Sequence, residues 1–247
     1  MKLQFLGSGG SSLSAKRACP SILIDESVIF DLGSGSVINL RKTRIDLEHI
    51  STVFISHCHA DHVSDLIPFL WTVQIEGRKN PLKVIGPPGF KSIFQKLREC
   101  TNTPDTFFTF PLTVAELSFG ESLDNVGTCP TDHSIPTLAF KITSRERSIC
   151  YTADTIYSPT VVEFARDVDL LVHEATFLED QSSAAELTRH STARMAGRSG
   201  KEANARRLAL FHIPPPNELR EAEFRKQASE AYGREVMIGT DLATIEV

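Results

Sequence analysis

The chain lacks the features of a secreted or membrane-bound protein. Its five cysteines are odd in number and none are spaced as CxxC, which is typical of a reducing compartment rather than of a disulfide framework. The first residues enter a β-like run at once, without the long apolar core of a signal peptide. No run approaches the roughly 18 apolar residues of a membrane span. We therefore expect a cytoplasmic protein with no membrane partner.

The chain also lacks an excess of positive charge. Its net charge of −5 and pI near 5.9 argue against a protein that coats nucleic acid broadly. A local basic cluster, Arg78 and Lys79 with Lys83, is interpreted as a rim of the site entrance. There is no internal repeat and no low-complexity segment. The 247 residues, 41% of them hydrophobic, therefore predict one domain over residues 1–247.

The most informative segment is residues 57–62, which read HCHADH directly after the apolar run TVFIS. Because alternate side chains of a strand lie on the same side, His57 and His59 can reach one metal ion together, while Cys58 points away. The following turn lets Asp61 and His62 reach a second ion. Imidazole and carboxylate ligands suit zinc, and also iron or manganese.

Three further ligand types stand at the ends of later apolar runs. They are His133, Asp154 and His212. Open α/β folds place their sites at such strand ends. A site for two metals needs a ligand to complete each ion and a carboxylate between them, and these three residues are of the required types.

The hydrophobic pattern predicts short strands separated by helices, which indicates an α/β fold with two face-to-face sheets and helices outside. The predicted strands are 2–6, 22–25, 28–30, 53–56, 83–85, 138–142, 149–151, 170–173, 208–211 and 236–238. The predicted helices are 63–74, 88–98, 160–166, 192–206 and 218–232.

The chain resembles the metallo-β-lactamase superfamily and, within it, the ribonuclease Z-like branch. The HCHADH segment carries the resemblance to the superfamily. The pieces HEATF at 173–177 and HSTA at 190–193 carry the resemblance to the branch, supported by FLGSG at 5–9 and IFDLGSG at 29–35. The resemblance implies a four-layer αββα sandwich of the α/β class.

The resemblance also implies a ligand set for two divalent metal ions, for which Zn²⁺ fits best and Mn²⁺ or Fe is possible. One ion would be held by His57, His59 and His133, the other by Asp61, His62 and His212, with Asp154 between them. A metal-bound hydroxide would attack phosphorus.

The leaving group would then need a proton, and His190 is the predicted general acid because imidazole titrates near neutral pH. Glu174 would hold and tune it. We count Asp61, His190 and Glu174 as the catalytic residues. The alternative roles are a plain salt bridge for Glu174 and, for His190, a position at the start of a helix capped by its neighbours.

The chain departs from the transfer-RNA-maturing members of the branch. Residues 134–151 read as two strands with a short charged turn, which leaves no room for a protruding RNA-binding arm. Transfer-RNA recognition therefore does not carry over. A small phosphodiester, such as a cyclic nucleotide or an exposed nucleotide or RNA end, is the expected substrate, and the family suggests a homodimer.

Two other functions compete with a two-metal phosphodiesterase. The same centre could hydrolyse a lactone, a thioester or an aryl sulfate, but such enzymes would not specifically need the pair Glu174 and His190. A non-catalytic metal-binding protein is the third interpretation. The presence of all seven ligand types argues against it.

Overall fold

The computed structural model describes residues 1–247 and contains fourteen strands and eight α-helices. The strands are β1 (Lys2–Gly7), β2 (Ser21–Ile24), β3 (Val28–Phe30), β4 (Thr52–Phe54), β5 (Leu82–Gly86), β6 (Leu112–Glu116), β7 (Ser122–Leu123), β8 (Val126–Pro130), β9 (Leu138–Ser144), β10 (Arg147–Tyr151), β11 (Leu170–Glu174), β12 (Leu208–Phe211), β13 (Met237–Ile238) and β14 (Thr244–Glu246). The helices are α1 (Ser36–Lys42), α2 (Ala60–Val63), α3 (Leu66–Ile75), α4 (Phe90–Cys100), α5 (Pro159–Phe164), α6 (Ser182–Thr188), α7 (Ala193–Glu202) and α8 (Glu221–Tyr232).

The strands form two seven-stranded sheets of similar construction. The first has the order β14-β1-β2-β3-β4-β5-β6 and the second β13-β12-β11-β10-β9-β8-β7. In the first sheet β3 to β6 are parallel, and in the second β10 to β13 are parallel. The remaining neighbours in each sheet are antiparallel. Because β14 pairs with β1, the two ends of the chain meet in one sheet.

Alternation along the strands builds three apolar layers. In β10, Ile149 and Tyr151 face the other sheet, whereas Cys150 faces the helices outside. In β4, Phe54 faces the other sheet and Val53 faces helices α3 and α4. Successive side chains of a strand point to opposite faces, so each sheet buries one face against its partner and the other against helices. The predicted αββα sandwich is confirmed.

The two sheets bring the carboxyl ends of their parallel strands to one edge of the sandwich. The segment after β4 carries HCHADH, and the segments after β10 and β12 carry Asp154 and His212. Side chains that follow parallel strands therefore converge, as in other α/β folds.

Within the segment 134–151, strands β9 and β10 form the expected hairpin over residues 138–151. Its turn is made by Arg145 and Glu146, with φ of 49° and 64°. Two consecutive left-handed residues are typical of the tight turn that matches the twist of paired strands. No protruding arm interrupts this part of the chain.

The prediction that Arg78 lines the site entrance is wrong. Arg78 is buried and its guanidinium donates to the backbone oxygens of Leu47, Ile50, Asn80 and Pro81 at 2.6–2.9 Å. It lies before β5, at the opposite end of the first sheet from the carboxyl ends that carry the ligands. The Arg78 guanidinium therefore pairs with backbone oxygens of a loop and is not available to contact a substrate.

None of the helices has the length and apolarity needed to cross a membrane.

Candidate metal centre

Three histidines and one carboxylate form the first cluster of potential ligands. His57 Nε2 and His133 Nε2 each lie 3.1 Å from His59 Nδ1, and Asp154 Oδ2 lies 3.5 Å from His57 Nε2 and 3.9 Å from His133 Nε2. These four residues could hold one ion between them.

Asp154 also joins a second cluster through its other oxygen. Asp154 Oδ1 lies 3.3 Å from His62 Nε2 and 3.4 Å from His212 Nε2. Asp61 Oδ2 lies 3.5 Å and 3.3 Å from the same two nitrogens. These four residues could hold a second ion, so the carboxylate of Asp154 lies between the two clusters as the resemblance implied.

The spacing of these atoms fits divalent metal ions. Ligand atoms about 2.0–2.1 Å from a tetrahedral zinc ion lie about 3.3–3.4 Å from one another. The separations of 3.1–3.9 Å in the clusters bracket that value. In addition, His62 Nε2 and Asp154 Oδ1 are buried without a hydrogen-bond partner. Buried polar atoms are rarely left unpaired, and an ion would satisfy both. The residues present therefore fit the metal ions that the resemblance implies.

Cys58 takes no part in either cluster. It is half-buried against the apolar core outside the first sheet, as alternation predicts.

One buried carboxylate orients a histidine of each cluster. Asp31 Oδ2 accepts from His62 Nδ1 at 2.8 Å and from the Ser56 hydroxyl at 2.8 Å. The Ser56 oxygen in turn lies 3.0 Å from His57 Nδ1. Asp31 also accepts from the Ser56 backbone N–H and from the Tyr151 hydroxyl, both at 2.7 Å. With their Nδ1 atoms held in this way, His57 and His62 present Nε2 to the clusters.

Asp31 was not identified as a functional residue from the sequence. A signal was available, because Asp31 follows β3 directly, and β3 is the parallel neighbour of β4. A carboxylate at that position lies beside the HCHADH segment.

Left-handed backbone conformations turn several of these residues into the site. Asp31, Ala153 and His212 have φ of 61°, 51° and 66°. Each stands one or two residues beyond the end of a strand, and the left-handed conformation turns the backbone away from the direction of that strand. The His212 N–H is held by the Ser8 carbonyl at 3.0 Å. Such conformations are costly for residues other than glycine and concentrate at functional sites.

His190 lies at the edge of the two clusters. Its Nδ1 donates to Glu174 Oε1 at 2.8 Å, and its ring is 5.0 Å from that of His133 and 5.2 Å from that of His212 between centroids. Its Nε2 makes no hydrogen bond to the rest of the chain, and the side chain is slightly exposed. The ring therefore has one nitrogen fixed and one free.

Glu174 is completely buried and fully hydrogen-bonded. Its Oε1 accepts from His190 and from the Thr155 N–H, and its Oε2 accepts from the Thr176 N–H and hydroxyl at 3.0 and 2.9 Å. The Thr176 oxygen also lies 2.8 Å from His212 Nδ1. Glu174 thus supports His190 directly and a potential metal ligand through Thr176. His173, the neighbouring residue, lies on the opposite face of β11 and is not in contact with the clusters.

The ionisation of these groups follows from burial and from opposed charges. Burial alone would lower the pKa of His190, but the charge and hydrogen bond of Glu174 outweigh it and raise that pKa to about 9. Burial, together with the positive charge of His62, lowers the pKa of His57 well below its usual value. A neutral imidazole is the form that binds a metal ion. Burial would raise the pKa of Asp61, but its hydrogen bond with His212 and the charge of His62 lower it to about 2.

The candidate metal centre cannot be located from the size of the surface clefts. A cleft of about 900 Å³ lies beside α4 and β6 and is lined by residues such as Lys91, Arg98 and Val114. It contains none of the potential ligands. The chemistry of the side chains, rather than cleft volume, distinguishes the candidate metal centre.

Comparison with known proteins gives a family match over most of the chain. A model of the beta-lactamase superfamily domain matches residues 22–213. A protein of Myxococcus xanthus named ribonuclease Z is 27% identical, over the full length of this chain and 98% of that protein. The expected resemblance to the ribonuclease Z-like branch is confirmed.

Two solved structures share the fold over nearly the whole chain. The metallo-beta-lactamase fold protein YhfI from Bacillus subtilis is 26% identical, with a TM-score of 0.86 and coverage of 99% of both chains. The short form of human tRNase Z is 24% identical, with a TM-score of 0.83 and coverage of 100% of this chain and 99% of that one.

Proposed function

The chain belongs to the beta-lactamase superfamily, and on that basis we propose that it is a metal-dependent hydrolase that cleaves phosphodiesters with two divalent ions. The observation that supports phosphodiester cleavage is the position of His190. Its Nδ1 is fixed by the buried Glu174, and its Nε2 is free at the edge of both ligand clusters. A proton donor held in this way is what an alkoxide leaving group requires.

The proposed ligands divide between the two ions. His57, His59 and His133 would hold one ion and Asp61, His62 and His212 would hold the other, with Asp154 available to both. With Asp154 counted, each ion would have four protein ligands, and zinc can expand to five-coordination, so a substrate oxygen could still bind. Nitrogen and oxygen ligands without thiolate suit Zn²⁺, and also Mn²⁺ or Fe.

The protein residues and the ions have separate tasks. When bound, the two ions supply Lewis-acid chemistry and lower the pKa of water. Asp31 and Thr176 fix the orientation of the histidines, so that the ligand atoms need little rearrangement. His190 donates a proton from Nε2 to the oxygen of the leaving group, and Glu174 stabilises the charged imidazole before that transfer.

The expected substrate is a small phosphodiester or an exposed nucleotide or RNA end. The tight turn at Arg145 and Glu146 supports this, because no arm extends from that part of the chain to hold a folded RNA. The relatives named ribonuclease Z support a nucleic-acid substrate class. We also propose that residues 1–247 form one domain, because β1 pairs with β14. A homodimer is proposed from the family resemblance alone.

Replacement of His190 tests the proposed acid. His190→Ala should keep its metal content and lower the turnover of the dinucleotide UpU by roughly 10²–10⁴-fold, the range of a general acid. Bis-(p-nitrophenyl) phosphate has a good leaving group, so its turnover should fall much less. His49→Ala, at the other end of β4, is the control. An equal loss on both substrates, or no loss, would remove His190 from this role.

A further inference from the structure

Arg189 combines an unusual backbone conformation with contacts to the candidate metal centre. It ends α6 in a left-handed conformation, with φ of 59°, directly before His190. Its backbone carbonyl accepts from His133 Nδ1 at 3.1 Å. Its guanidinium Nη1 donates to Asp132 Oδ1 at 3.0 Å. A left-handed residue ends many helices, and here the N–H groups of Arg189 and His190 both donate to the Ala185 carbonyl that closes α6.

The ion pair of Arg189 and Asp132 joins the two segments that carry His190 and His133. Arg189 precedes the proposed acid His190, and Asp132 precedes the proposed ligand His133, whose ring is 5.0 Å from that of His190. The ion pair therefore spans two segments at the accessible edge of the site. The Arg189 side chain is 54% exposed and that of Asp132 is 47% exposed.

An exposed ion pair of this kind is held weakly. Surface pairs contribute little free energy because water screens the charges and two flexible side chains must be ordered. Only one nitrogen of the Arg189 guanidinium makes a hydrogen bond to the protein. The guanidinium can therefore exchange Asp132 for another anion at small cost, and its planar fork matches the oxygens of a phosphate.

We propose that Arg189 is a specificity-determining residue that binds a second phosphate group of the substrate, next to the phosphodiester being cleaved. The proposal rests on the proposed function. The substrate class is then a phosphodiester that carries a further phosphate, such as an oligonucleotide end, in preference to an isolated diester. In the free enzyme Asp132 holds the guanidinium and competes with that phosphate.

The test compares the uridine dinucleotide UpU with the same dinucleotide carrying a 5′-phosphate or a 3′-phosphate, on zinc-loaded protein. The measured quantity is the ratio of kcat/KM with the additional phosphate to kcat/KM without it. We expect the wild-type protein to prefer one of the phosphorylated forms. Arg189→Ala should lower that ratio about 10-fold, to near one, and Arg189→Lys should keep part of it.

Asp132→Asn separates this role from a structural one. If Arg189 binds phosphate, removing the competing carboxylate should raise the ratio, opposite in sign to Arg189→Ala. If the ion pair only fixes His133, both variants should lower turnover of all three substrates alike and leave the ratio unchanged, which would overturn the proposal. Arg166→Ala is the control, since Arg166 is an exposed, paired arginine before β11, far from the carboxyl ends of the strands.

A binding measurement separates failure of this inference from failure of the proposed function. Uridine 3′,5′-bisphosphate and uridine 5′-monophosphate are titrated calorimetrically into the zinc-loaded wild type and Arg189→Ala. A preference for the bisphosphate that is lost in the variant supports the phosphate contact even if no dinucleotide is cleaved. Cleavage of UpU with no such preference, and with equal ratios, supports the proposed function and overturns the role of Arg189.

Discussion

At the scale of residues, a single carboxylate organises both halves of the candidate metal centre. Asp31 accepts four hydrogen bonds, from the Ser56 N–H and hydroxyl, His62 and Tyr151. It orients His62 directly and His57 through the Ser56 hydroxyl. Tyr151 comes from the second sheet, so this network also fixes the distance between the sheets at the site.

Replacement of Asp31 should weaken metal binding without changing any proposed ligand. We expect Asp31→Asn to lower metal affinity by roughly 10–100-fold, the usual effect of losing a residue that orients metal ligands. Tyr151→Phe removes only one of the four donors and should have a smaller effect. Competition with a chelator of known affinity measures both. Wild-type affinity in Asp31→Asn would show that the ions themselves orient the histidines.

The pKa of His190 predicts the pH dependence of turnover. The Glu174 carboxylate overcomes the effect of burial and raises that pKa to about 9, so the acid is protonated below this pH and deprotonated above it. kcat for UpU should therefore fall as pH rises through about 9, or somewhat lower with divalent cations bound nearby. Glu174→Gln removes the stabilising charge and should move the fall to lower pH. A fall that does not move in this variant would contradict the coupling.

At the scale of elements, the strands were more predictable than the helices. All ten strands predicted from alternation overlap observed strands, because one face of each packs between the sheets and the other packs against helices. The missed strands β6, β7, β8 and β14 lie at or next to the edges of the sheets. No residue of β6, β7 or β14 is buried, and β8 reads VGTCP with few apolar residues, so the apolar pattern of all four is weak. Helices α1 and α6 were missed because they bury few apolar side chains, Leu40 in α1 and Ala185 in α6, which leaves only a weak periodic pattern.

The ligand types could be predicted from the sequence, because each follows an apolar run that forms or adjoins a strand. The orienting residues could not be predicted in the same way. Asp31 and Thr176 act through contacts with residues on other strands, and Asp31 depends on a left-handed backbone turn. The spacing of residues along the sequence gives no information about contacts between different strands.

The close packing of α7 on α8 predicts that a larger residue at Gly197 destabilises the fold. A Cβ atom on Gly197 would lie 2.3 Å from the Ala228 carbonyl oxygen, and backbone cannot easily yield. Gly197→Ala should therefore lower the free energy of unfolding by roughly 1–3 kcal/mol, although alanine favours a helix. Gly127→Ala is the matched control, because its nearest contact would be 3.5 Å away. Denaturant unfolding measures the free energy of unfolding of both variants. Equal values for Gly197→Ala and Gly127→Ala would show that α7 and α8 can move apart to accommodate the added methyl group at little cost.

At the scale of the whole molecule, the candidate metal centre joins the two sheets. His57, His59, Asp61 and His62 follow β4 of the first sheet, whereas His133, Asp154 and His212 follow strands of the second. Each cluster contains ligands from both sheets. Metal binding should therefore oppose separation of the sheets as well as supply chemistry.

Metal loading should accordingly raise the stability of the entire fold. An ion that binds only the folded chain adds about 2.7 kcal/mol of stability at a free concentration one hundred times its Kd. Thermal unfolding of the zinc-loaded protein should occur at a higher temperature than that of the chelator-treated protein. Asp154→Ala, which removes the shared ligand, should lose most of this difference. A Tm that does not depend on zinc would contradict ligation across the sheets.

The most direct measurement is a zinc titration of the metal-free protein, with turnover of bis-(p-nitrophenyl) phosphate followed beside a lactone, a thioester and an aryl sulfate. The proposed function predicts phosphodiester cleavage that rises to a plateau at two zinc ions per chain and is lost in Asp61→Ala. Zinc uptake without phosphodiester cleavage, or cleavage of only a carbon ester or sulfate, would contradict a two-metal phosphodiesterase.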